Sequence, residues 1–310
     1  MQLDGIHHIT CITADAPRNV DFYARVLGLR LAKKTVNQDD PTVYHLFYTD
    51  EAGTPGSDLT FFEYPGARRG AVGAGMVHRI RYRVASSDSL DWWEDRLRAE
   101  GAPVSRGPDD SLRFQDPEGL ALELVVRDDI EDAPLVARST EVPGEHALQG
   151  FDGVDALVAD FTGSELVVDR LLGFADRGDH TWESRGPRRG GTITFEQSDR
   201  RGMGGAGTVH HIAFAAETAD IEGWAQRVAD AGAHGTPVVD RFWFRSVYFR
   251  EPGGILYELA TQDPGFTADE SLETLGETLV LPPAYEPARA QIEPQLTPLP
   301  DTRQWRPTPG

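Results

Sequence analysis

Thr208-Val209-His210-His211-Ile212-Ala213-Phe214 is a short β-branched and aromatic run that carries two adjacent histidines. The pattern stands once more near the N-terminus, as Gly5-Ile6-His7-His8-Ile9-Thr10. Downstream of the second doublet, Glu251-Pro252-Gly253-Gly254-Ile255-Leu256-Tyr257-Glu258-Leu259 reads as a turn and then a strand carrying one carboxylate, Glu258. Runs of this composition bounded by turn residues are strands, and strand side chains alternate between faces. One face then carries Ile6, His8, Thr10 and Ile12, and its later counterpart Val209, His211 and Ala213. The opposite face carries His7, Ile9 and Cys11, with His210, Ile212 and Phe214. Bulky Ile212 and Phe214 suit the underside of a helix, while Thr10 and Ala213 leave room for a cavity. The second histidine of each doublet is therefore expected to point into a cup. His7 and His210 are expected on the wrong face, to be brought round only from a neighbouring rim or by a bulge.

The strands around these doublets repeat in order. Residues 4–65 read as strand Ile6–Thr13, helix Ala16–Leu27 with Val20, Tyr23, Val26 and Leu27 as its apolar stripe, the stop Gly28, and three further strands. Residues 76–128 repeat this order with strand Val77–Val84, helix Ser89–Glu100, Gly101 and the turn Asp116-Pro117-Glu118-Gly119. Residues 151–197 form a weaker copy around helix Gly163–Leu172, and residues 208–262 a fourth around helix Ala219–Ala231. Each copy reads β-α-β-β-β, and one such unit cannot bury both faces of its sheet alone. The expected class is α+β: four βαβββ modules paired into two cup-shaped half-barrels. Residues 1–140 hold the first two modules, 141–268 the last two, and 269–310 a proline-rich tail with a short helix at Asp269–Gly276 followed by an extended wrap or a loose tail.

Ligand counting constrains the pairing. The strand Val77-His78-Arg79-Ile80-Arg81-Tyr82-Arg83 puts three arginines on the face equivalent to His8, a polar concavity with Glu123 as an ion-pair partner. Module three has no histidine in its first strand. Only His8, His211 and Glu258 remain as a set, and they can share one ion only if modules one and four form the same cup. Two histidines and one carboxylate with open positions is the ligand set of a non-haem Fe(II) oxygenase site. His45 reads as a core histidine, and His78, His180 and His234 as ordinary strand or loop residues. The glycines at 202–207 read as a flexible lead-in, since no helix start follows to make a phosphate loop. Trp92, Trp93 and Trp243 read as packing, with Phe242, Trp243 and Phe244 able to wall an aromatic pocket.

Composition narrows the partners. The 310 residues carry a formal net charge of −20, which argues against nucleic acid or an anionic membrane surface. The single cysteine, Cys11, excludes an intramolecular disulfide. No apolar run has the length of a membrane span, and Met1-Gln2-Leu3-Asp4 lacks the basic start of a signal peptide. A reducing cytoplasm, which would suit a ferrous ion, is the expected compartment, and a homo-oligomer is left open.

The arrangement resembles the vicinal oxygen chelate superfamily, and within it the ring-cleaving dioxygenases that act on hydroquinones. The resemblance runs from Gly5 to about Phe266. It is carried by His7-His8-Ile9-Thr10, Tyr44-His45-Leu46, Gly53-Thr54-Pro55-Gly56, Glu145-His146-Ala147, Val209-His210-His211 and Tyr248-Phe249-Arg250-Glu251-Pro252-Gly253-Gly254 running into Glu258. It implies His8, His211 and Glu258 as metal ligands. It implies His7, His210, Thr10, Arg241 and Tyr248 as the residues that shape the surroundings, with Arg245 competing for the role of Arg241. The expected activity is insertion of O₂ into a small hydroquinone or catechol-type aromatic at Fe(II), with Mn(II) or another divalent ion as alternatives. His210 or Tyr248 would take the substrate proton, and Arg241 would steady an anionic intermediate. Two other readings stay open: a glyoxalase-type isomerase or lyase with Glu63 as a fourth ligand, and a non-enzymatic aromatic-binding resistance protein.

Overall fold

Among the described residues, sixteen strands and four principal helices follow one repeated order. The computed structural model describes residues 1–307. Module one is β1 (Leu3–Thr13), helix α1 (Ala16–Val20) extended by the π-helical turn Asp21–Val26, then β2 (Arg30–Asn37), β3 (Asp40–Thr49) and β4 (Asp58–Glu63). Module two is β5 (Met76–Val84), α2 (Ser87–Ala99), β6 (Val104–Arg106), β7 (Leu112–Gln115) and β8 (Ala121–Val126). Module three is β9 (Phe151–Val158), α3 (Phe161–Leu166) with its π-helical extension Val167–Leu171, β10 (Ala175–Asp176), β11 (Thr181–Arg185) and β12 (Gly190–Gln197). Module four is β13 (Thr208–Ala216), α4 (Ile221–Asp230), β14 (Val239–Asp240), β15 (Arg245–Arg250) and β16 (Leu256–Thr261). The short edge strands β6, β10 and β14 escape a sequence reading because two or three residues show no alternation.

The strands form two eight-stranded sheets in the orders β14-β15-β16-β13-β1-β4-β3-β2 and β10-β11-β12-β9-β5-β8-β7-β6. Modules one and four therefore share a sheet through the antiparallel β1–β13 pair, and modules two and three share one through β5–β9. Each sheet curls, with the helices on its outer face. The outward side chains of β1 and β13 (Ile9, Cys11, Ile212, Phe214) join the α1 stripe (Val20, Tyr23, Val26, Leu27) and Trp224 of α4 in the buried core. Gly28 ends the first helix at φ 71°, a conformation natural to glycine after a helix. Gly5 (φ 77°) lies so close to Gly190 that a Cβ would stand 3.0 Å from that residue's carbonyl carbon, so glycine is required where the two sheets touch. No helix among the described residues is long and apolar enough to cross a membrane.

The tail differs from its sequence reading. Asp269–Gly276 is not a helix; only the 3-10 turn Leu272–Thr274 forms. The Arg30 guanidinium takes the carbonyls of Leu272 and Glu273, which a helix would need for itself. The segment instead straps across β2: Lys33, fully buried, holds Asp269 at 2.8 Å and also Glu270, and Val280 N–H donates to the Lys34 carbonyl. Leu275, Leu281, Ile292 and Leu296 are buried along this wrap.

Candidate metal centre

The β1–β13 pairing shifts register at three places, one between Leu3 and Ile6 and two that each carry a histidine. Ile6 opposes Phe214 and His8 opposes Ala213, which leaves His7 as the extra residue of a bulge. Thr10 opposes His211 and Cys11 opposes Val209, which leaves His210 as its counterpart. Strict alternation put His7 and His210 on the far face. The two bulges bring each of them round beside its neighbour.

Three side-chain atoms converge inside the cup. His8 Nε2 and His211 Nε2 lie 3.3 Å apart, and Glu258 Oε2 lies 3.1 Å from the first and 2.9 Å from the second. All three residues are buried. Glu258 Oε2 has no partner with hydrogen-bond geometry among the described residues, so the two imidazoles face it without bonding it. Bonds of about 2.0–2.2 Å to one divalent ion would hold neighbouring donors about 3 Å apart. The buried, unpartnered oxygen and the three separations fit a shared cation. Burial alone would raise the Glu258 carboxyl; His8 and His211 outweigh it and hold it well below the usual carboxylate range.

Hydrogen bonds behind these atoms set the tautomers. His7 Nε2 lies 3.1 Å from the Thr261 carbonyl, which can only accept, so that nitrogen carries a proton. Burial, then His8, lowers the His7 pKa to about 3, so its Nδ1 is bare and accepts from His8 Nδ1–H at 2.9 Å. Nε2 is thereby the His8 nitrogen that faces Glu258 and is available to an ion. His210 Nδ1 and His211 Nδ1 make the matching contact at 2.8 Å. Ser246, which the sequence reading did not single out, donates to Glu258 Oε1 at 2.5 Å and turns Oε2 inward. Its signal was its place two residues before Tyr248, on the same face of β15. Asp58, level with His8 on β4, was also missed; among the described residues neither of its buried oxygens has a partner, and burial pushes its carboxyl up to about 8.

A cavity of about 420 Å³ opens from the three atoms, walled by Phe47, Phe62, Trp243, Phe244 and Tyr248. Arg241 lines it, its Nε 3.2 Å from the Tyr248 hydroxyl and its fork on Asp39. Arg245 points to the helix side and pairs with Glu222. Trp243 packs between Phe47 and Phe266 as well as walling the cavity, with its indole N–H on Asp269. His45 is not a core histidine: it sits on the cavity wall between Phe47 and Phe62. Thr10 lies one layer behind, accepting from Thr60 at 2.8 Å.

Glu63 is not at the centre. Thr13 opposes Glu63 in the register that sets His8 against Asp58, and five residues along a strand is about 17 Å. Its carboxylate instead accepts from the Ala16 N–H and the Thr297 hydroxyl. The pseudo-twofold relation places Ile9 on Ile212. Glu258 lies opposite Ala213, so its counterpart in module one is Thr60, opposite Thr10. No carboxylate stands at the symmetric fourth position.

The second sheet repeats the frame without the set. Arg79 stands where His8 does and Gly153 where His211 does. Glu123 is tied to Ser111 and Arg113, and Arg79 reaches Asp155 at 2.6 Å. His78, Asp155 and Glu196 also cluster, but the Arg79 guanidinium already sits against both carboxylates. That concavity, about 1030 Å³, is walled by ion pairs.

Residues 5–124 and 167–259 match the model of the glyoxalase/bleomycin resistance protein/dioxygenase superfamily. The chain is 38% identical over 315 residues, 96% of its own length and 100% of the relative's, to MhqA of Bacillus subtilis (strain 168), a presumptive ring-cleaving dioxygenase. The chain belongs to the ring-cleaving dioxygenases of this superfamily. Another relative in this group, the chlorohydroquinone/hydroquinone 1,2-dioxygenase of Sphingobium indicum, is 32% identical over 94% of this chain and 95% of its own. A crystal structure of a presumptive dioxygenase from Bacillus subtilis superposes with a TM-score of 0.88 at 40% identity, over 96% of this chain and 98% of that one. The cup formed by modules one and four is where this dioxygenase gathers two histidines and a carboxylate.

Proposed function

We propose that the protein is an Fe(II)-dependent dioxygenase that opens the ring of a hydroquinone or catechol-type aromatic with O₂, and that His8, His211 and Glu258 hold the ion. The observation that carries this reading is the convergence of three donors, with Thr60 in place of a fourth. A three-donor face leaves positions for both substrate and O₂, whereas a second carboxylate would close one and suit redox-neutral isomerisation. Mn(II) or another divalent ion fits the same donors.

Bound Fe(II) would supply open coordination positions and a route for electrons from the aromatic to O₂. The rest is the work of the chain's own residues. His7 and His210 hold the ligand imidazoles in the tautomer that keeps Nε2 bare. With His211 donating through Nδ1, His210 keeps its proton on Nε2 at the cavity rim, so it donates to a ligand and does not take the substrate proton. Burial, then Glu258, pushes the Tyr248 phenol up, so Tyr248 too stays protonated and serves as a donor. Arg241, steadied by Asp39 and Tyr248, sets a positive charge where an anionic intermediate would lie. The aromatic walls orient a flat ring and exclude water.

The test is anaerobic reconstitution with Fe(II), then oxygen uptake with hydroquinone and catechol as substrates and mass spectrometry of the product under ¹⁸O₂. Stoichiometric uptake with two labelled oxygens in a ring-opened acid is expected. No uptake with either diol, in protein shown to contain iron, would overturn the proposal.

A further inference from the structure

We infer that His45 is the hydrogen-bond acceptor that reads the substrate's second hydroxyl, so that the site selects diphenols whose distal oxygen keeps its proton. This deepens the dioxygenase reading and rests on it.

The argument starts from Thr60. Its hydroxyl donates to Thr10 Oγ1 at 2.8 Å. A hydroxyl has one hydrogen, so Thr60 Oγ1 can only accept from His45 Nε2, 2.9 Å away. The His45 proton therefore sits on Nε2, and Nδ1 keeps a lone pair. Burial, then the facing His8 and His211, keeps the ring neutral by holding its pKa well below 6.5. Among the described residues Nδ1 has no hydrogen-bond partner, and it is not among the buried unpartnered atoms. It is therefore open to the cavity whose wall His45 forms with His8, His211 and Glu258. Phe47 and Phe62 pack against the imidazole, with ring centroids 3.9 and 4.3 Å away, and fix its plane.

Three other side-chain acceptors on the wall are engaged, while Gln38, partly buried, uses its amide nitrogen on the Arg241 carbonyl. Both Asp39 oxygens hold Arg241, Asn37 Oδ1 accepts from Asp39 N–H, and Thr236 Oγ1 accepts from Tyr248 N–H. Arg241, Tyr248 and His210 present donors. A ring oriented by its first oxygen at the metal ligands thus meets a free acceptor on the module-one side, where a distal O–H is matched and an ether oxygen is not. The pseudo-twofold axis gives the position a rationale. His45 opposes Phe62 as Ser246 opposes Ala260, two residues past Thr60 and Glu258 respectively. In module four that position orients the Glu258 carboxylate. In module one Thr60 takes the place of that carboxylate, and the residue there faces the cavity with its second ring nitrogen.

The experiment is anaerobic calorimetric titration of the iron-loaded protein with hydroquinone and with its monomethyl ether, 4-methoxyphenol, in the native chain, His45→Phe and His45→Asn. The native protein is expected to bind hydroquinone at least about tenfold more tightly than the ether. His45→Phe should bring that ratio to about one without loss of iron, and His45→Asn, which can set an amide oxygen near the place of Nδ1, should restore part of it. Equal affinity for the two phenols in the native protein would overturn the inference whether or not the variants fold. So would an unchanged ratio in His45→Phe. Oxygen uptake by the native protein separates the two levels: uptake with no selectivity removes only the role of His45, whereas no uptake removes the dioxygenase reading beneath it.

Discussion

At the scale of single residues, the candidate centre is a problem of orientation. Each ligand atom is held by a neighbour: His8 by His7, His211 by His210, and Glu258 by Ser246. Ser246→Ala leaves Glu258 Oε1 buried without its donor, and metal affinity should fall roughly 10–100-fold, the usual cost of losing an orienting partner; competition with a chromophoric chelator measures it. Glu258→Gln removes the negative charge itself and should cost more than that. Glu123→Gln, at the equivalent position of the other sheet, should leave metal content unchanged, because Glu123 is held by Ser111 and Arg113. Equal loss from both glutamine variants, by elemental analysis, would mean that the second cup also holds metal.

At the scale of elements, bulges and caps decide what a strand presents. The bulges at His7 and His210 let two consecutive residues serve one face, which regular pleating forbids. Glu63 shows the opposite case, a carboxylate near a metal-binding strand in sequence that is used at the start of a helix. It accepts from the Ala16 N–H, among the backbone donors that open α1. Glu63→Gln keeps an oxygen there, so metal content and turnover should stay within about twofold and stability within about 1 kcal/mol. A loss of metal comparable to that of Glu258→Gln would restore Glu63 as a ligand and the isomerase reading with it.

At the scale of the whole molecule, the tail completes the cup. Lys33 is fully buried, flanked by Trp243 and Phe266, and paired with Asp269 and Glu270. Removing one partner of a buried ionic cluster leaves uncompensated charge and typically costs about 3–5 kcal/mol. Lys33→Met should lower unfolding stability by that amount in a denaturant titration. Adding Asp269→Asn and Glu270→Gln should recover a good part of it. If Lys33→Met unfolds like the native protein, the strap is not held by this cluster. Because Asp269 also takes the Trp243 indole N–H, the same variant should loosen the aromatic wall and weaken phenol binding.

The four-module repeat, the α+β class and the grouping of His8, His211 and Glu258 were legible in the sequence, because each rests on short-range regularities: β-branched runs, helix stops at glycine, and a histidine doublet in two equivalent strands. What sequence reasoning could not see were departures from regularity and contacts between distant segments. Alternation put His7 and His210 on the wrong face because a bulge is set by the register of two strands, not by the residues of one. His45 read as core because its strand pattern does not reveal that the sheet curls and leaves a cavity before it. Glu63 and Asp58 lie five residues apart on one strand, and only the parallel pairing of β4 with β1 decides which of them stands beside His8. The local code determined the modules and most of their side chains. The tertiary structure decided which carboxylate faces the histidines, because register and curvature are properties of pairs of strands.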